Sequence, residues 1–215
     1  ERLQCLLRAV QAQFALRQRQ VQAGLPGAQA NGLAQRVGGT GAGGLDRQRV
    51  EGGVVHQRVA QRLQALRDLL ILDTPPEERF DRISAFAAKE FDVPMALVSL
   101  VDRDRQWFKS SFGMDVCETS RDISFCGHAV NMSETLVVHD ALKDPRFEDN
   151  PMVIGEPYVR FYAGALLRLP YGQIVGTFCI MDRRPRQFDK LDVAILGGLR
   201  DLVVEEMFRR EEALT

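Results

Sequence analysis

Cysteine and histidine are scarce, with four Cys and three His in 215 residues. Cys5, Cys117, Cys126 and Cys179 form no CxxC pair and no zinc-type spacing with a histidine, which argues against a zinc finger or ribbon. They are also too sparse for a small disulfide scaffold, so the expected state is reduced thiols in a cytoplasmic protein. No apolar run approaches the roughly 20 residues of a membrane span, and no basic-then-apolar leader opens the chain. No membrane partner is therefore expected. Lysine is absent from the first sixty residues, where eight Arg face three acids for a net of +5; the remainder carries −6. A nucleic-acid surface needs clustered cations to displace counterions from phosphate, and neither part offers one. The first methionine is Met95, so the chain is expected to be a fragment, a processed product or a translation from an unusual start.

What is present divides at about residue 60. Residues 1–60 hold ten of the 18 glycines and ten glutamines, with a Gly38–Gly44 run that is costly to order. This part is expected to be disordered or poorly structured. Residues 61–215 hold the apolar clusters of a folded domain. A helix is expected from Val59, carrying Leu63, Leu66, Leu69 and Leu70, and stopped by Asp73–Thr74–Pro75–Pro76. Thr74 is placed as the cap of a second helix with Phe80, Ile83, Phe86 and Ala87 on its apolar face. Met95–Val101 and Gln106–Phe112 read as one hairpin, and Arg160–Leu167 with Ile174–Met181 as another. Leu136–His139 is a short strand. A last helix, about Asp189–Arg210, carries Leu191, Ile195, Leu199, Leu202 and Met207 as a stripe. Hairpins predict an antiparallel sheet with helices packed on a face, an α+β fold.

Leu72–Asp73–Thr74–Pro75–Pro76–Glu77–Glu78–Arg79–Phe80–Asp81 resembles the entry to bacterial GAF domains. Val98–Asp102 with Gln106–Ser110, Arg121–Val130, Asp144–Phe147, Asn150–Pro151, Arg160–Gly164 and Gly176–Asp182 continue that resemblance in order over roughly residues 62–210. It implies a six-stranded antiparallel sheet, with helices on one face and a ligand pocket on the other. It also implies a regulatory role in signal transduction rather than catalysis. Such domains sit ahead of sensor histidine kinases (in two-component systems) or diguanylate cyclases. Neither a kinase-type Gly-rich loop nor a Gly-Gly-Asp/Glu-Glu-Phe motif occurs in this chain.

The candidate ligand-binding residues are Trp107, Phe108, Arg121, Phe125, Cys126, His128, Asp140, Phe161, Tyr162 and Thr177. Alternation sets Trp107 and Phe108 on opposite faces, one for the core and one for the pocket. Cys126 and His128 lie two apart and do not share a helical face, which argues against a joint metal site. The cofactor is left open. Bilin-attaching GAF domains usually join Cys directly to His, and Gly127 intervenes here, so no covalent cofactor is expected. Arg160 is expected to pair with Asp140 or Asp144. Two other readings stay open. One is a thiol-dependent enzyme like the GAF-type free methionine sulfoxide reductases, using Cys126 and Cys117, with Arg121 lowering the thiol pKa. The other is a ligand-free dimerisation scaffold. The partners expected are a small-molecule ligand and a second copy bound through the terminal helices.

Overall fold

The computed structural model describes residues 46–212, with side chains from 57 to 209. The reading of residues 1–45, and with it most of the expected unstructured segment, lies outside the described residues. Helix α1 spans Asp46–Asp68, so it begins well before Val59, and helix α2 spans Glu78–Glu90. Strands β1 (Met95–Val101), β2 (Arg105–Phe112) and β3 (Glu118–Ser120) follow. A 3-10 turn at Arg121–Ile123, helix α3 (Phe125–Ala129), β4 (Leu136–Val138) and helix α4 (Pro151–Ile154) lead to β5 (Phe161–Arg168), β6 (Ile174–Asp182) and helix α5 (Lys190–Glu212).

The six strands form one antiparallel sheet in the order β3-β2-β1-β6-β5-β4. β1 is paired on both edges and covered on both faces, so all seven of its residues are buried. That environment explains its unbroken apolar run. α1, α2 and α5 cover one face through Leu66, Phe80, Ala87, Leu196, Leu199 and Val203 against Ala96, Val98, Phe161 and Phe178. The segment from β3 to β5 covers the other through Phe125, Phe147, Met152 and Val153 against Leu97, Phe108, Tyr162 and Cys179. Hydrophobic burial on both faces is the main stabilising term.

Three details differ from the sequence reading. Thr74 does not cap α2: its hydroxyl donates to the Ile71 carbonyl at 2.7 Å, and the cap position is Glu77 without a side-chain bond. On α2, Phe86 is 53% exposed, and Ser84 and Ala88 fill the inward positions instead. On α5 the inward stripe is Leu196, Leu199, Val203 and Met207, which leaves Leu191 and Leu202 outward. The expected set mixed two neighbouring rows of the helix.

β2 contains a bulge. Val98 pairs with Ser110 and Ser99 with Phe108, so Lys109 is the extra residue. Consecutive side chains then face the same way: Lys109 meets Glu77 at 2.6 Å and Ser110 donates to Asp81 at 2.7 Å, both on the helical side. A bulge re-aims side chains in this manner. The strand ends at Gly113, whose φ of +78° suits glycine and whose missing Cβ would sit 1.9 Å from the Pro94 carbonyl oxygen. Among the described residues no helix is long and apolar enough to cross a membrane.

Candidate functional site

Two places gather the candidate residues. The first lies between the sheet and α3. Ser124 caps α3 by accepting from the Gly127 amide at 2.8 Å, and its hydroxyl also donates to Gln106. The capped turn drives Phe125 and Cys126 inward, and both are buried. Phe125 stacks on Phe147 at 4.2 Å and on Tyr162 at 5.1 Å. The Tyr162 hydroxyl lies 3.4 Å from both the Cys126 Sγ and the Thr177 Oγ1. Burial holds the Tyr162 phenol well above its ordinary value, so it stays a donor. Phe125, Cys126, Tyr162 and Thr177 therefore do converge, but their rings and thiol are in mutual contact where a ligand was expected.

Tyr162 reaches this position by lying over Gly164. A Cβ at Gly164 would stand 2.2 Å from the Tyr162 hydroxyl oxygen. Gly164→Ala is expected to push the ring out of the stack and to cost about 1–3 kcal/mol, read as a lower urea midpoint. The ring carbons Cζ and Cε1 would stand at 2.6 and 2.9 Å as well, so adding Tyr162→Phe to Gly164→Ala should not recover the loss.

The second place is a cavity of about 470 Å³ beside β2, bounded by Thr74, Trp107, Phe108, Phe112, Met114 and Cys117 among others. β3 pairs with β2 over Arg105–Trp107, the Phe108 amide donates to the Cys117 carbonyl at 2.8 Å, and beyond that bond Met114, Asp115 and Val116 face Asp81 and Ala85 of α2 across the cavity. Trp107 joins the helical-side core and Phe108 the opposite one, as alternation requires, and both also border this cavity. Lys109, Ser110 and Asp81 border it too, and the sequence reading missed them. Ser110 is turned there by the bulge, which has no residue pattern of its own.

The remaining candidates lie elsewhere. Phe161 is on the helical side against Phe188, at 5.4 Å. Asp140 caps a 3-10 turn by accepting from the Leu142 amide and pairs with Lys143 at 3.3 Å. His128 is exposed, its ring edge-on to Phe147 at 4.9 Å. Arg121 donates to the Arg103 carbonyl at 3.1 Å and is not among the groups acting on Cys126. Arg160 pairs with neither Asp140 nor Asp144; it donates to the Val153 and Val159 carbonyls at 2.7 and 3.1 Å. Cys126 is a free thiol whose sulfur neighbour is Cys179, so it forms no bond with Cys117, its partner in the thiol-enzyme reading; Cys117 is itself disulfide-bonded, which corrects the expectation of four reduced thiols. Among the described residues no group of three or more His, Cys, Asp or Glu is placed to hold a metal ion.

The family model of the GAF domain matches residues 75–206. The chain belongs to the GAF domain family. A cyclic di-GMP phosphodiesterase of Pseudomonas aeruginosa is 44% identical over 135 residues, which is 62% of this chain and 23% of that protein. The chain thus spans about a quarter of that relative's length. Among solved structures, the free methionine-R-sulfoxide reductase of Neisseria meningitidis, in complex with its substrate, is 17% identical. The match covers 76% of this chain and 93% of that one, with a TM-score of 0.53. The GAF domain of a phosphoenolpyruvate-protein phosphotransferase from Coxiella burnetii is 12% identical, covering 74% and 98% with a TM-score of 0.53. At these identities the two structures establish the GAF fold and nothing finer.

Proposed function

We propose that this GAF domain is a cytoplasmic sensory module of a larger signalling protein that turns over cyclic di-GMP, and that a small molecule occupies the cavity beside β2. The cavity itself carries the reading. Phe108, Phe112 and Met114 offer an apolar wall, while Lys109, Ser110 and Asp81 offer a polar end, the usual make-up of a small-ligand site. The role is regulatory rather than catalytic. Lys109 and Arg105 on β2 bind Glu77 and Asp73 at 2.6 Å each, so both hold the segment joining α1 to α2. A ligand that shifts β2 would act on that segment, and only by its differential affinity for the two arrangements. The output passes through the terminal helices to another part of the parent protein. A second copy would seat on the outward Leu191 and Leu202 of α5, which concentration-dependent sedimentation would detect.

Trp107 is the only tryptophan, and its emission reports the cavity directly. In a panel of cyclic nucleotides, amino acids, purines and haem, one class is expected to give a saturable emission change and a thermal shift. Phe112→Ser removes a half-exposed wall and should weaken that binding about tenfold, or 1.4 kcal/mol, with the fold intact. No response from any member would favour the ligand-free dimerisation scaffold.

One observation favours an enzymatic reading. The Cys126 thiol lies below its ordinary value, at about 6: burial opposes ionisation, and hydrogen bonds from Cys179, Ser99, Thr177 and Tyr162 outweigh it. Turnover of free methionine sulfoxide that vanishes in Cys126→Ser would support a reductase, and its absence in the unaltered chain would remove that reading.

A further inference from the structure

We propose that Cys126 and Cys179 form a redox pair that closes to a disulfide when the domain meets a small peroxide. This proposal is independent of any ligand in the β2 cavity. The two thiols come from elements far apart in sequence, α3 and β6, yet their sulfurs stand 3.8 Å apart. Both are free and buried. Packing alone does not ask for two thiols in contact at the centre of this face, because the rest of the cluster is built from aliphatic and aromatic side chains such as Leu97, Phe125 and Met181.

The surroundings suit the chemistry. Within the apolar cluster, polar groups also reach the Cys126 sulfur: the Tyr162 hydroxyl at 3.4 Å, with Ser99 and Thr177 also bonding to it. Cys179 is displaced the opposite way, since it donates toward Cys126 and is buried, so Cys126 is the thiol that ionises. The Cys126 thiolate attacks one peroxide oxygen, the O–O bond breaks, and the departing hydroxide takes up a proton as water. This leaves Cys126 as a sulfenic acid. Cys179 sulfur then attacks the sulfenic sulfur; the S–S bond forms, the S–O bond breaks, and hydroxide leaves with the Cys179 proton as a second water. Two thiols and hydrogen peroxide give one disulfide and two waters.

Geometry sets which side moves. A disulfide needs about 2.05 Å between sulfurs, so the pair must close by nearly 2 Å. β6 is hydrogen-bonded to β1 and β5 and cannot yield. α3 is a five-residue helix outside the sheet's hydrogen bonding, so it is the partner that shifts, and its shift must loosen the Phe125 stack on Phe147 and Tyr162. Its local opening also admits the peroxide to the buried sulfur. Oxidation would then pin the β3–β5 segment to the sheet.

The test uses the full chain, treated with hydrogen peroxide under native conditions, then unfolded, alkylated and digested. The expected result is a cross-linked peptide pair joining Cys126 to Cys179, lighter by two hydrogens and separated again by dithiothreitol. In Cys179→Ser, Cys126 should instead be trapped as a sulfenic acid by dimedone. Recovery of both cysteines fully alkylated after peroxide treatment, or a bond from Cys126 to Cys5 or Cys117, would overturn the proposal. The unaltered chain decides the matter even should the variant fail to fold.

Discussion

Phe125→Ala is expected to lower the unfolding free energy by about 3–5 kcal/mol, the usual loss for truncating a buried phenylalanine. Phe125 is 2% exposed and lies between two rings, Phe147 and Tyr162. Removing it takes apolar surface out of the core and leaves a space that neither neighbour can fill, because Tyr162 is held over Gly164 and Phe147 sits between Asp144 and the Asn150 cap. A domain of this size has only about 5–15 kcal/mol to lose. Urea denaturation gives the size of the change. Hydrogen exchange should show residues 121–154 losing protection before the strands do. Phe86→Ala is the matching control. At 53% exposure it should change stability by no more than about 0.5 kcal/mol. Equal losses in the two variants would contradict the packing described for Phe125.

Lys109→Met is expected to cost about 3 kcal/mol. The Lys109 side chain is fully buried, and its ammonium meets Glu77 at 2.6 Å and the Thr74 hydroxyl and Pro75 carbonyl at 2.8 Å each. It also stands over the Phe80 ring at 5.4 Å. Methionine keeps the apolar stem but removes the charge and leaves those acceptors without their donor. Breaking one side of a buried pair usually costs about 3–5 kcal/mol. The lower end applies here because Glu77 is partly solvated and also binds Arg79. The loss should appear in both thermal and urea unfolding. A second readout is local: with the tie to Thr74 and Pro75 gone, amides near the start of α2 should exchange faster. A variant as stable as the parent would show that Lys109 does not hold this segment.

These two residues mark what the sequence disclosed and what it hid. Met95–Val101 and Ile174–Met181 were legible as strands because burial on both faces demands unbroken apolar runs. The GAF resemblance correctly implied six strands and helices on one face. Alternation puts Lys109 on the side of Trp107, but Ser110 joins it there only through the bulge, and a bulge depends on backbone pairing rather than on residue type. Thr74 looked like a cap because it precedes two prolines and two glutamates, yet Lys109 and Ile71 claim its hydroxyl. The α5 stripe was misplaced because Leu191 and Leu202 are as apolar as the inward Leu196 and Leu199. Cys126 was matched in the sequence with the nearby Cys117, but its sulfur neighbour is the distant Cys179. Such long-range contacts depend on strand order, which local spacing does not encode.

Strand order also bears on how the chain is made. β1 lies in the middle of the sheet, and its second neighbour is β6, with Met95 set opposite Met181. During translation at about 5–20 residues per second, some 4–17 s pass between the emergence of these two methionines. Throughout that interval this apolar strand has β2 on one edge and the earlier helices α1 and α2 on one face, while its other edge waits for β6. Ribosome-associated chaperones would find their most attractive target there, and release should coincide with the arrival of β6.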